Sequence, residues 1–328
     1  MLMFLVSCAS VPQEIDTIPS ENGSHITNMS YVAVAAKALS KKYGKENVLI
    51  AYDIDNTLLA MNQDLGSDQW FNWQTSRKTN SNEKWYPSFD CALQAQGLLY
   101  RLGSMRLTHS NVDEIVGELQ TDGFPSIAVT SRGPQFRFVT FRELKRNNLD
   151  FSNYSVAKNA SSGIKYLPYS NDRLKRFSPN EINEYKLIFS DTRPRQVTYE
   201  DGIYFTSGQH KGAMLRLLLE RHKLLGKIKA VVFVDDSYDK HVPGMIKALK
   251  VEGIDLYAYG YDVENENVDE FNNNPKIKAK LKKLWCGLTQ LLPSLNDIYG
   301  ETLYPLKGKD DESGELINCL SKRQMFCK

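Results

Sequence analysis

The chain has 328 residues, enough to bury a sizeable apolar interior in one large domain or in a core domain carrying an insert. Its 41 Lys and Arg nearly balance 39 Asp and Glu, and a net charge of +2 gives no global attraction to nucleic acid or anionic lipid, so any electrostatic bias must be local. Five cysteines, Cys8, Cys91, Cys286, Cys319 and Cys327, are odd in number and lack short paired spacing, which argues against a zinc site or a dense disulfide framework; one tail bridge, Cys319 to Cys327, is the pairing that suggests itself.

Met1 to Val6 is an apolar run closing in Leu5-Val6-Ser7-Cys8, which resembles the lipobox of bacterial lipoprotein precursors. No basic residue precedes it, and it is shorter than the about 7 to 15 apolar residues of a signal peptide. It reads either as the end of an export signal with Cys8 lipidated, placing the protein in the cell envelope or outside the cell, or as a frayed start of a cytoplasmic chain. Residues 9–27, rich in Pro, Ser, Asn and Gly, read as a linker, so residues 1–27 form a signal-and-linker segment and folding begins near Asn28.

From Tyr31 to Tyr43, Val32, Ala35, Ala36 and Leu39 share one helical face, and Gly44 stops the helix. Asn47 to Tyr52 (NVLIAY) is a continuous apolar run of strand length, suited to a strand covered on both faces, and it ends at Asp53. Ser126 to Thr130 is a second such strand, followed by a helix from about Pro134 to Asn147. Lys229 to Val234 is a third, running into Asp235, and Ile254 to Tyr259 a fourth after a helix around Gly244 to Lys250. Strands alternating with helices predict an α/β fold, a doubly wound Rossmann-like parallel sheet whose ligand site lies beyond the carboxyl ends of its strands. The core is expected over 28–262, with inserts at about 60–122 and 150–207 acting as caps or flaps, the second containing strand candidates at Lys186 to Phe189 and Gly202 to Thr206. A helical, basic extension covers 263–328.

Four polar clusters sit at strand or helix ends. Asp53-Ile54-Asp55-Asn56-Thr57 puts two carboxylates one residue apart directly after a strand, where they cannot both stay unpaired anions without a cation or a shared proton. Taken alone, it reads more readily as a polar turn with Asx hydrogen bonds. Thr130-Ser131-Arg132-Gly133 offers hydroxyls and backbone amides to a phosphoryl oxygen, or is an ordinary strand-to-helix turn. Lys211, opening the apolar helix Ala213 to Leu225, opposes the helix dipole, so it marks a nearby anion or else is an ordinary solvent-exposed lysine. Asp235-Asp236-Ser237-Tyr238-Asp239 clusters three carboxylates at a buried strand's end, a natural set of hard oxygen ligands for Mg²⁺ and more than one helix cap needs.

In this order the four clusters resemble the motifs of the haloacid dehalogenase-like (HAD) phosphohydrolase superfamily, over roughly residues 45–260; IAYDIDNTLL and LGSDQWFNW are similar to a poorly characterised branch from bacteria that live inside eukaryotic cells. The resemblance implies a Mg²⁺-dependent phosphomonoester hydrolase with a HAD-like core. Asp53 would be the nucleophile, Asp55 the general acid and base, and Thr130, Ser131 and Lys211 the phosphate-binding residues. Asp53, Asp55 (through its carbonyl), Asp235 and Asp236 would ligate the metal, with Asp239 competing for the last place. The expected partner is a phosphorylated small molecule or protein, and no nucleic acid. The alternative is a non-catalytic binding protein on the same scaffold, engaging a host factor or a membrane.

Outside the core, Trp70, Phe71, Trp73, Trp85, Tyr86 and Phe89 make the first insert aromatic, either as its own small core or as a stacking surface on which the tryptophans and Tyr86 hold a planar substrate. Asp68, Gln69 and Arg132 are candidate substrate contacts. Residues 275–292, with five Lys ahead of an apolar stretch, either lie on an anionic membrane or pack the face of Ile277, Leu281, Leu284 and Leu288 against the core. The oligomeric state and the substrate's identity leave no mark in the sequence.

Overall fold

The structure is a computed structural model describing residues 22–157, 163–169 and 194–299. Cys8, the strand candidate Lys186 to Phe189, Cys319, Cys327 and the polar tail from 306 lie outside those residues.

The apolar runs form strands β2 (Val48–Tyr52), β5 (Ser126–Thr130), β8 (Ala230–Asp235) and β9 (Asp255–Tyr261). With β1 (Asn22–Ile26), β6 (Thr198–Glu200) and β7 (Ile203–Phe205) they make a seven-stranded sheet in the order β1-β9-β8-β2-β5-β7-β6. Every neighbouring pair is parallel except β6 with β7. A second sheet pairs β3 (Leu59–Met61) with β4 (Met105–Leu107), antiparallel.

Buried strands need cover on both faces, and alternate residues divide between two cores. Val48, Ile50 and Tyr52 of β2 and Ala230, Val232 and Val234 of β8 point to a core closed by α1 (Ser30–Tyr43), α4 (Val112–Thr121) and α5 (Arg137–Arg146). Leu49, Ala51, Val231 and Phe233 point the other way, to α6 (Lys211–Arg221) and α7 (Tyr238–Lys250). The chain is therefore an α/β fold with a mostly parallel central sheet between helical layers. α1 ends as the sequence predicts, at Gly44 with φ +83°.

Two boundaries differ from the sequence reading. Part of the expected linker is a strand: β1, Asn22–Ile26, pairs with β9 as an edge strand, with Asp262 N–H donating to Ile26 O at 3.0 Å. A polar run without alternation carries no strand signal, yet backbone pairing alone can hold an edge strand. Likewise Ile203–Phe205, assigned by sequence to an insert, is an integral strand beside β5, and α4 is a sheet-covering helix although it falls within 60–122.

The aromatic stretch forms α2 (Asp68–Thr75) and α3 (Phe89–Leu102), each started by a serine cap, Ser67 and Ser88. Trp70, Trp85 and Tyr86 are buried with Phe271 of α8 (Asn265–Asn273) and with Leu281 and Trp285 of α9 (Pro275–Tyr299). Edge-on contacts join them, Trp70 to Trp85 at 5.9 Å and Tyr86 to Trp285 at 5.7 Å. The C-terminal extension and the aromatic segment thus share one apolar layer. Leu284, expected on the packed face of α9, is instead 50% exposed. Cys91 of α3 and Cys286 of α9 are each disulfide-bonded, two cysteines for which the sequence offers no short paired spacing. Among the described residues no helix is long and apolar enough to cross a membrane.

Candidate active site

Following the chain, the sheet runs from β2 outward through β5 to β7, then returns to the other side of β2 with β8 and β9. The strand order therefore reverses between β2 and β8, where open α/β sheets form a crevice beyond the strands' carboxyl ends. Asp53 and Asp235 stand at the ends of those two strands. The Asp53 N–H donates to Val234 O at 2.9 Å, carrying the ladder one residue past β2 and fixing the two acids side by side. Beyond Asp53 the backbone folds back: Leu58 and Leu59 N–H donate to Ile54 O, and Asn56 takes φ +56°, a left-handed turn that Asn tolerates better than most residues. The turn aims Thr57 at the next loop, where its hydroxyl accepts the Asp236 N–H at 2.9 Å.

Lys211 enters from α6. His210 caps that helix, its Nδ1 accepting from Ala213 N at 3.3 Å, and a Cβ on Gly212 would lie 2.5 Å from Met245 Cα, so glycine allows α6 to seat directly on α7. This seating brings the Lys211 Nζ to 2.6 Å from Asp53 Oδ1 and 2.7 Å from Asp235 Oδ2, with only 1% of the side chain exposed. Asp53, Asp235 and Asp236 each offer an oxygen, all within 4.8 Å of one another. Asp239, the competing acid, is exposed in the first turn of α7 and does not join them.

Three buried or half-buried carboxylates against one ammonium leave an excess of two negative charges. Burial, then the neighbouring Asp235 and Asp55, pushes the Asp53 carboxyl up to about 7 despite Lys211. Burial and the facing Asp53, Asp68 and Asp235 raise Asp236 well above the usual carboxylate range. Burial alone would lower the Lys211 ammonium, but Asp235 and Asp53 reverse this and hold it protonated. A cluster so poor in positive charge suits a hard divalent cation held by oxygen ligands.

Asp55 stands apart from that cluster. Arg132 grips it through two bonds, Nε to Oδ2 at 2.9 Å and a terminal nitrogen to Oδ1 at 2.7 Å, while Tyr100 of α3 donates to Oδ1 at 3.1 Å. The guanidinium lies 4.3 Å from the Tyr100 ring centroid and also donates to Thr140 Oγ1 at 2.8 Å. Arg132, a candidate substrate contact by sequence, is a buried partner of Asp55. Tyr100 was not foreseen, because it lies 45 residues from Asp55 with no local signal pairing the two.

Both strand-end hydroxyls on β5 were expected to face a ligand, and the structure separates them. Thr130 is fully buried, its hydroxyl accepting the Arg132 N–H at 3.1 Å, whereas Ser131 is exposed on the wall of a cleft of about 730 Å³. Asp53, Asp55, Lys211 and Asp236 open into the same cleft, as do Lys240 of α7, which the sequence does not single out, and His241, which without ligand spacing reads from sequence as a surface or packing residue. Asp68 lines it too, its carboxyl raised to about 6 by burial and by Asp55, but Gln69 does not.

The chain belongs to the family "Protein of unknown function (DUF2608)". That family's model matches residues 25–294, spanning the central sheet and the aromatic layer together. No curated protein and no solved structure matches the chain. The family description assigns no chemistry, so this DUF2608 protein must be read from its own site.

Proposed function

We propose that this protein is a HAD-type, Mg²⁺-dependent phosphatase that hydrolyses a phosphomonoester through an aspartyl-phosphate on Asp53. The observation that carries the reading is the Lys211 ammonium bridging Asp53 and Asp235 at the point where the strand order reverses, with Asp236 completing an acidic group in excess of its counter-charge. The donor set fits Mg²⁺, being all oxygen and lacking two positive charges. Asp53, Asp235 and Asp236 would hold the ion, which supplies Lewis-acid neutralisation of the phosphoryl oxygens.

The remaining work falls to the chain. An Asp53 oxygen attacks phosphorus, and the bond to the leaving oxygen breaks with its electron pair going to that oxygen. Asp55, held by Arg132 and Tyr100 at the cleft wall, supplies the proton the leaving group needs. Water then attacks phosphorus, giving its proton to Asp55 and releasing inorganic phosphate and free Asp53. Lys211 offsets phosphoryl charge in a largely buried pocket, where a fixed ammonium acts most strongly. Ser131 offers its hydroxyl to a phosphoryl oxygen, with Thr130 behind it ordering the turn. In this reading α2 and α3 form a cap. The disulfide-bonded Cys91 and Cys286 favour an oxidising setting, the cell envelope or the outside of the cell.

One observation favours a second reading, a non-catalytic scaffold: both oxygens of Asp55 are already satisfied by a buried Arg132, as in a structural ion pair. Hydrolysis of 4-nitrophenyl phosphate, with and without Mg²⁺, separates the two. Magnesium-dependent turnover lost in Asp53→Asn supports the enzyme, and absence of turnover under every condition sinks it.

A further inference from the structure

The aromatic residues between 70 and 89 divide into two groups. Trp70, Trp85 and Tyr86 are buried in the layer shared with α8 and α9, with Trp73 packed against it, and none of the four lines the cleft. Phe71, partly buried against that layer, and Phe89 line the cleft that contains Asp53 and Lys211, together with Leu93. Their rings meet edge-on at 5.9 Å with a 68° interplanar angle, and Phe89 remains 55% exposed. An apolar ring left open on a cleft wall gains free energy when an occupant covers it. The wall is preformed, since Phe89 is the first residue of α3 and the Ser88 hydroxyl fixes that turn by accepting the Cys91 N–H at 3.2 Å.

The size and charge of the cleft narrow the occupant. A cleft of about 730 Å³ lies within the range of small-ligand sites and is far larger than a phosphate needs, so most of it is left for the leaving group. In an in-line displacement the leaving group departs opposite the attacking oxygen, and so extends away from Asp53 into that space. The lining residues contributed by α2 and α3 include Asp68 and Asp90 and no basic side chain, so a second phosphate or a carboxylate would meet like charge on that wall, whereas Lys165, Arg195 and Lys240 line other parts of the cleft. Asn72 donates to Asp68 Oδ2 at 2.6 Å, leaving the other carboxylate oxygen to accept from a ligand hydroxyl or amine.

We propose that the cleft selects phosphomonoesters whose leaving group carries a planar aromatic ring, stacked on Phe71 and Phe89, with Asp68 accepting a hydrogen bond from the same group. The proposal rests on the phosphatase reading and names the substrate class of that site. Adenosine 5′-monophosphate and ribose 5-phosphate test it, because they share phosphate and sugar and differ by the ring. With Mg²⁺, kcat/KM should favour the nucleotide by about tenfold or more, the scale of one base on an aromatic side chain. In the double variant Phe71→Ala/Phe89→Ala that ratio should collapse to below about threefold. Because a ratio is read, a partial loss of folded protein does not mimic the result; should the double variant fail to fold, Phe89→Ala alone, at an exposed position, provides the comparison. Turnover of both compounds at equal kcat/KM overturns the aromatic wall and leaves the phosphatase standing. If neither compound nor 4-nitrophenyl phosphate turns over, the phosphatase fails, and titration calorimetry of the two ligands decides the rest. Tighter binding of the nucleotide by about tenfold, lost on truncating the rings, keeps the wall as a binding site; equal affinity removes it.

Discussion

Around Asp53 the sheet dictates where the charges go. β2 and β8 are neighbours, their registers fixed from Val48 opposite Ala230 to Tyr52 opposite Val234, so the next residue of each strand must arrive at one place. Around Phe71 the sheet dictates nothing. Trp70 and Phe71 are adjacent, chemically alike and on one helix, yet the first is buried among aromatic rings and the second lines a cleft. The comparison teaches that polar groups at strand ends inherit their positions from topology, whereas aromatic residues on a surface helix are placed by whichever neighbouring layer reaches them.

The sharpest way to break the comparison is at the nucleophile. Asp53→Asn keeps the size and position of the side chain and removes the attacking charge, and should lower kcat on 4-nitrophenyl phosphate by about 10⁴-fold or more. A loss of less than tenfold would mean that the convergence at β2 and β8 serves another purpose.

Lys211→Met tests the charge balance directly. It leaves Asp53, Asp235 and Asp236 facing one another with no ammonium, and breaking a buried ion pair from one side costs about 3–5 kcal/mol. Denaturant unfolding should show that loss, and added Mg²⁺ should restore more stability to the variant than it adds to wild type, since the variant has more charge to neutralise. Equal responses to Mg²⁺ would argue against these acids as its ligands.

The aromatic half of the comparison is sharpened by two neighbouring truncations. Trp70→Ala empties a fully buried site and should cost about 3–5 kcal/mol, while Phe89→Ala, at an exposed position, should stay within about 1 kcal/mol of wild type. If both variants unfold at the same denaturant concentration, the division into buried layer and open wall is wrong.

How much of this the sequence discloses follows from the same physics. The four main strands, the helices after them and the convergence of Asp53, Lys211, Asp235 and Asp236 were legible, because continuous apolar runs mark doubly covered strands and the polar residues sit immediately at their ends. The Asp55–Arg132–Tyr100 assembly was not, because its geometry comes from three elements meeting side by side. β1 was missed because an edge strand needs only backbone partners; Ile203–Phe205 was legible as a strand but not as part of the central sheet, because a three-residue run carries no sign of the neighbour it pairs with. Aromatic composition marked a compact layer near the site, but only packing against α8 and α9 settles which rings turn inward.

The smallest effect lies at His241, on the cleft side of α7. Burial, then the charges of Lys211, Lys240 and His210, hold its imidazole well below the ordinary value of 6.5, so it stays neutral in the folded protein. In the unfolded chain it takes up a proton below about pH 6.5, and each further pH unit should then remove about 1.4 kcal/mol of stability, whereas above that pH its contribution is fully present. Asp53 works with the opposite sign, since a carboxyl raised to about 7 disfavours the folded state as pH climbs from about 4 towards 7. The wild-type profile is therefore a sum of opposed slopes, and the difference between wild type and His241→Gln isolates the imidazole. Urea unfolding at pH 5, 6, 7 and 8 should show the two proteins diverging only below about pH 6.5, with the glutamine variant losing less. Parallel curves across the whole range would place His241 in contact with water and detach α7 from the wall of the site.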